Sequence, residues 1–243
     1  MASQRSIPTL DRISALPDSV ICHILSFLST KESAATSIFS KRWKALWLSV
    51  LTLDFDDYEF ANFTSFRLFI YSVMLSRNIT LPLRSFRIKC WDRSFGFNPH
   101  DVNRFIEAAV QRGIQNLNLD MSPLIRNFSL PICVFSCSNL TVLKLTSLKI
   151  HDLPDVNFPL LKTLHLISIS FCPSGAHSHR FLKRLLSGCP ILEDLHAKSL
   201  FLLRFPDEEF NGLHKLVRAN IYLFCNMPFP WVRNAKFLST KLV

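Results

Sequence analysis

The first fifty residues set short apolar stripes between polar punctuation. Leu16-Pro17-Asp18 begins a helix, since proline needs no amide partner in a first turn and the aspartate sits at the positive end. Val20, Ile21, Ile24, Leu25 and Leu28 then recur at helical spacing. Ser29 or Thr30 can cap a second helix through Lys31 to Ser37. Ser40 can cap a third, in which Trp43, Leu46 and Trp47 share a face. Three short helices in about forty residues bury little surface by themselves, and these show apolar groups on more than one face. That predicts either a partner or docking onto the rest of the chain. Further on, Phe63, Phe66, Ile70, Val73 and Met74 fall on one stripe, which predicts a linker helix packed on the downstream domain.

From about Leu81 the pattern becomes L-x-x-L-x-L with other apolar residues allowed. It fits Leu83/Phe86/Ile88, Ile114/Leu117/Leu119, Leu140/Leu143/Leu145 and Leu161/Leu164/Leu166. Weaker copies are Leu192/Leu195/Ala197, Leu213/Leu216/Arg218 and Val232/Ala235/Phe237. The middle members are 31, 26, 21, 31, 21 and 19 residues apart, around the spacing of leucine-rich repeats. The L-x-L alternation buries two side chains on one face of a short strand. One such repeat cannot bury its own core, whereas stacked copies can. Each 31-residue interval holds a helical insert. In the first, Asn98-Pro99 starts the helix, Val102, Phe105, Ile106, Ala109 and Val110 form its stripe, and Gly113 closes it. In the second, Phe181, Leu182, Leu185 and Leu186 face inwards before Gly188 and Pro190. The expected fold is an α+β or α/β solenoid. A three-helix unit spans residues 11–57, a linker helix 58–80 and irregular leucine-rich repeats 81–243.

Composition narrows the chemistry. Leucine fills 38 of 243 positions and glycine only five, and no glycine-rich phosphate cradle is present. Seven cysteines without a C-x-x-C pair give no disulfide framework, which points to the cytoplasm or nucleus. No apolar run reaches membrane-spanning length, so no membrane association is expected. Cys172, His177, His179 and Cys189 lack the spacing of a zinc site, and Cys133 and Cys137 near His151 fare no better. Asp54, Asp56, Asp57 and Glu59 form an acidic patch without histidine or a calcium-loop pattern, and read as a solvated strand end or turn. No nucleophile elbow appears, so neither catalysis, cofactor nor metal is expected. The net charge of +10 raises nucleic-acid binding as an alternative. Its densest clusters, Lys41/Arg42/Lys44 and Arg180/Lys183/Arg184, lie instead on the polar sides of helices, where charge is expected anyway.

The stretches DRISALPDSVICHILSFL, TKESAATS and SKRWKALW closely resemble the F-box of plant F-box proteins that carry leucine-rich repeats. CSNLTVLKLTSLKI, FPLLKTLHLISISF and SGCPILEDLHAKSL are similar to the repeats of the same F-box/FBD/LRR family. One departure is LSTK at Leu28 to Lys31 where the family usually has LPTK, and Ser29 can still cap. No segment matches the family's C-terminal FBD region, which leaves a shortened gene product, a truncated gene model and a fragment as alternatives, with final repeats open to fraying or dimerisation. The resemblance implies docking on the Skp1-type adaptor of a cullin-RING ubiquitin ligase. Leu16, Pro17, Val20, Ile24, Leu25, Leu28, Ser40, Lys41, Arg42 and Trp43 are the adaptor-binding candidates, although Trp43 could equally hold the three helices together. The repeats would then bind an unidentified target protein. Lys144, Thr163 and His165 are candidates on the exposed strand face, where His165 is either a contact or an ordinary surface histidine. A protein-interaction solenoid outside any ligase is the other reading.

Overall fold

The computed structural model describes residues 12–13, 15–78, 80–91, 97–122, 128–150, 155–171, 178–200, 210, 212–222 and 227–241. Three helices come first: α1 (Asp18–Leu25), α2 (Thr30–Ala35) and α3 (Lys41–Ser49). Local chemistry sets their ends. The Ser29 hydroxyl accepts from the Glu32 amide while the Glu32 carboxylate accepts from the Ser29 amide, a reciprocal capping box. The Ser40 hydroxyl accepts from the Trp43 amide at the start of α3. Ile21, Leu25, Trp43, Leu46 and Val50 make a small core of their own, and Trp47 packs against both it and the main core.

The rest is a parallel ladder. Its strands are β1 (Thr52–Asp56), β2 (Ser85–Cys90), β3 (Asn116–Met121) and β4 (Val142–Thr146). They continue as β6 (Thr163–Ile167), β8 (Asp194–Lys198), β9 (Arg218–Tyr222) and β10 (Phe237–Lys241). They line up in chain order in one eight-stranded sheet, as stacked repeats require. A two-stranded ribbon, β5 (Lys149–Ile150) with β7 (Ser170–Phe171), runs beside it. Between them lie α4 (Phe63–Ser76), α5 (Pro99–Gln111), α6 (Ser178–Ser187) and the short α7 (Phe229–Val232). The expected stripe of α4, Val102, Phe105, Ile106 and Ala109 of α5, and Leu182, Leu185 and Leu186 of α6 are buried in the same core as the inward strand residues, with Val110 and Phe181 partly buried against it. Asn98 caps α5 as its sequence predicts, accepting from the His100 amide. Gly113 ends that helix at φ +71°, a conformation that favours glycine.

Two features differ from the sequence reading. The sheet begins at β1, inside the 11–57 span, with Leu53 and Phe55 buried in the solenoid core. The last two repeats are also shifted by three residues. Ala219 and Ile221 lie in register with Leu195 and Ala197, and Leu238 and Thr240 extend the same rows. Arg218 faces outward instead and pairs with Asp194 at 2.8 Å. Leu213 and Leu216 are buried in the turn ahead of the strand, so they satisfy the motif without belonging to it. A further feature recurs after β4, β6 and β8. Ser147, Ser168 and Ser199 all adopt positive φ, and the next residue, Leu148, Ile169 or Leu200, is buried. Each serine turns the chain so that a third apolar residue joins the two on the strand.

The helical unit closes the leading edge of the ladder. The Thr30 hydroxyl accepts from the Asp54 amide at 2.8 Å, satisfying an edge-strand donor. The guanidinium of Arg77, just past α4, donates to the carbonyls of Trp47 and Val50 at the end of α3. Burial, and the charge of Arg112, push Arg77 down to about 10. Arg77→Leu should remove the guanidinium from the Val50 carbonyl, leave the Trp47 carbonyl with the Val50 amide alone, and lower stability by about 1–3 kcal/mol in urea unfolding. Gly188→Ala should also destabilise, because a Cβ there would lie 2.6 Å from the Val156 carbonyl oxygen. An expected loss of about 1–3 kcal/mol, read by the same titration, comes from overpacking against backbone.

Candidate functional site

Helix α1 and the turn that follows it carry two apolar stripes. Ile21 and Leu25 point into the small core, and half-buried Leu28 packs against it. Val20, Ile24 and Phe27 repeat at the same i, i+4, i+7 spacing on another face, and are 40%, 42% and 75% exposed. Ahead of them Leu16 is half-buried and Pro17 exposed. Ile38 and Phe39, between α2 and α3, are exposed at 82% and 66%. The Phe39 ring meets Trp43 edge-on at 5.6 Å.

The ten adaptor candidates therefore divide. Leu25 and Trp43 lie in the helical core. Leu16 and Leu28 straddle its border, while Pro17, Val20, Ile24, Ser40, Lys41 and Arg42 face solvent. Arg42 has a structural task as well. Its guanidinium donates to the Asp18 carboxylate at 2.8 and 2.5 Å and to the Leu16 carbonyl at 2.6 Å. It thus ties the Leu16-Pro17-Asp18 corner to α3 and fixes how that corner is presented. Phe27, Ile38 and Phe39 were absent from the sequence candidates. The second helical stripe, Val20/Ile24/Phe27, was the signal that could have found Phe27.

On the outward face of the sheet, side chains stack in register. One row reads Asp54, Arg87, Asn118, Lys144, His165, His196 and Asn220. Its leading end is neutralised from within: Asp54 pairs with Arg87 at 2.9 Å and Asp56 with Lys89 at 3.0 Å. Asp57 accepts from the Trp91 amide, so three members of the acidic patch bond across to the strand or turn of the next repeat. The structure brings Lys144, Thr163 and His165 together on neighbouring strands, all partly exposed. His165 lies 5.2 Å ring to ring from His196, which in turn lies 5.3 Å from Tyr222. Burial lowers the affinity of both histidines for a proton, and Lys144 adds to the effect; Asp194 opposes it.

Cysteine chemistry is muted where it is visible. Cys189 is buried, its thiol is pushed up to about 12 by burial, and it donates to the Leu185 carbonyl. Its proposed companions Cys172 and His177, and His151 near Cys133 and Cys137, lie outside the described residues, as does the side chain of His179. Among the described residues no three His, Cys, Asp or Glu side chains gather as a metal site, and no helix is long and apolar enough to cross a membrane.

Comparison with known proteins respects the same division of the chain. Residues 13–54 match the F-box domain, and residues 102–205 match the LRR repeats of FBD-associated F-box protein At5g56370. The chain is 39% identical to F-box/LRR-repeat protein At4g14103 of Arabidopsis thaliana over 76% of its own length and 49% of that protein. It is 34% identical to the putative F-box/FBD/LRR-repeat protein At5g22670 of the same plant, over 81% and 43%. F-box protein At4g09920, also from Arabidopsis thaliana, is 36% identical over 82% and 60%. The chain thus spans about half the length of the curated relatives it matches. No solved structure matches it. A helical unit with an F-box sequence, closing the first strand of a leucine-rich-repeat ladder, places the chain in the plant F-box/FBD/LRR-repeat family.

Proposed function

We propose that the chain is the substrate-recognition subunit of an SCF-type ubiquitin ligase. Its F-box docks on a Skp1-type adaptor, and its repeats hold a target protein. The observation that carries this reading is the outer stripe of α1. A helix with apolar residues on two faces has one buried at home and one left for a partner. Val20, Ile24 and Phe27, continued by Pro17 and the exposed Ile38 and Phe39, supply that second face.

The repeats support the second half of the reading. Their ladder offers a continuous polar surface on rigid strands, suited to holding a protein segment. The Thr30 and Arg77 contacts couple that surface to the F-box, so target and adaptor would be held at a fixed separation. The chain would then contribute proximity, with the transfer chemistry residing in cullin-RING subunits reached through the adaptor. Such a role belongs in the cytoplasm or nucleus.

Two kinds of substitution separate docking from folding. Ile24→Ala and Phe27→Ala should each weaken binding of a purified Skp1-type adaptor by roughly tenfold, as expected for truncating an apolar interface anchor. Their unfolding midpoints should barely move. Trp43→Ala should instead cost about 3–5 kcal/mol of stability through the cavity it leaves. Calorimetric titration with the adaptor checks the first pair, and thermal unfolding checks the third. Unchanged adaptor affinity in both exposed-stripe variants would overturn the docking assignment. Complete failure of the native chain to bind the adaptor would favour a solenoid that works outside any ligase.

A further inference from the structure

The outward sheet face is electrostatically uneven. At its leading end each basic side chain has a carboxylate: Arg87 has Asp54, and Lys89 has Asp56, with Asp120 in register beside it. Across β4 to β9 the balance reverses. Lys144, Lys198 and Arg218 face Asp194 as the one carboxylate among the described outward strand residues there. Asp194 is shared, one oxygen accepting from Arg218 at 2.8 Å and the other 3.9 Å from the His165 imidazole. Among the described residues, Lys144 and Lys198 make no ion pair. Two paired histidines, His165 and His196, fill the centre between them.

We infer that this Lys144–His165–His196 face recognises an acidic, extended segment of the target protein. The inference rests on the proposed role of the repeats as the target-binding part. Neighbouring strands lie ~4.8 Å apart, so these three side chains span about 10 Å. Same-side carboxylates of an extended segment lie ~7 Å apart, so two fit within that span. A nucleic-acid strand suits the surface less well. Its continuous phosphates would run against Asp194 in the middle and Asp120 on the neighbouring strand.

The histidines add a pH response. His165 faces Lys144 from β4 and His196, Asp194 and Lys198 from β8. His196 faces Asp194, Lys198, Lys144 and His165, with Arg218, Asn220 and Tyr222 from β9. Because burial lowers both, they are neutral at neutral pH and gain charge only below the ordinary histidine value of about 6.5. Glutamates of a bound segment ordinarily stay ionised down to about 4.3, so protons taken up by the histidines above that value add charge to the surface and leave the ligand's charge in place. Binding therefore tightens as pH falls.

The test uses the full chain and fluorescein-labelled decapeptides of alternating Glu and Ser, Lys and Ser, or Gln and Ser. Anisotropy is read at low salt, where surface charge is least screened. The Glu peptide should bind at least about fivefold more tightly near pH 5.5 than near pH 7.5. Lys144→Glu should abolish its binding. The double variant His165→Gln, His196→Gln should remove the pH response, and circular dichroism should show each variant folded. Adaptor binding, measured on the same preparations, should be unchanged. Equal binding of the Glu and Gln peptides near pH 5.5, or indifference to Lys144→Glu, would overturn the inference. So would a ten-nucleotide single strand that binds more tightly than the Glu peptide through the same residues. If the adaptor binds and the Glu peptide does not, the acidic-segment inference alone falls. If the peptide binds and the adaptor does not, the ligase reading falls and this surface stands.

Discussion

A ladder of parallel strands has two ends, and each end strand leaves one row of backbone groups without a neighbouring strand. Everything else here depends on how the first of those ends is closed. At that edge the Thr30 hydroxyl of the F-box accepts from the Asp54 amide, and from the solenoid side Arg77, just past α4, donates to the Trp47 and Val50 carbonyls at the end of α3. Trp47, packed against both cores, fills the space between. The helices thereby gain the support that so small a unit lacks alone. The ladder in turn gains a closed leading edge. A flexible tether between two modules would achieve neither.

That closure also explains why α1 can leave an apolar face bare. The small core needs only Ile21, Leu25, Trp43, Leu46 and Val50, and the main core secures α3 from the other side through Trp47. Val20, Ile24 and Phe27 lie outside both cores and are left at the surface. Arg42 fixes the Leu16-Pro17-Asp18 corner beside them through its bonds to Leu16 and Asp18. A preformed corner loses less conformational freedom on docking than a loose one, which would favour tight binding of the proposed adaptor.

Much of this could be read from the sequence because the same constraint repeats. The L-x-L alternation of the central repeats, both helical inserts and the caps at Ser29, Ser40 and Asn98 are local, and the structure keeps them. The acidic patch of Asp54, Asp56, Asp57 and Glu59 forms the strand end and turn that its sequence suggests, but its partners, Arg87, Lys89 and the Trp91 amide, come from a repeat some thirty positions later and could not be read locally. The sequence misled where residue type was ambiguous. In the ninth strand the inward residues are Ala219 and Ile221, and a search for leucine settled on the turn ahead of them. Family resemblance named Leu25 alongside Ile24 and left Trp43 open between the two roles, since motif wording alone does not separate core positions from surface ones; the structure puts Leu25 and Trp43 in the helical core and Ile24 at the surface. The pairing of His165 with His196 needed two repeats to be set side by side before it could be seen.

The central claim is that the outer stripe of α1 is a docking surface held in place by the solenoid behind it. Hydrogen exchange of the full chain, with and without a purified Skp1-type adaptor, reads this directly. The account predicts new protection confined to the F-box, centred on residues 16–28 and 38–40, with the strands from Val142 to Lys198 unchanged. Protection spread over the repeats, or none anywhere at saturating adaptor, would contradict it.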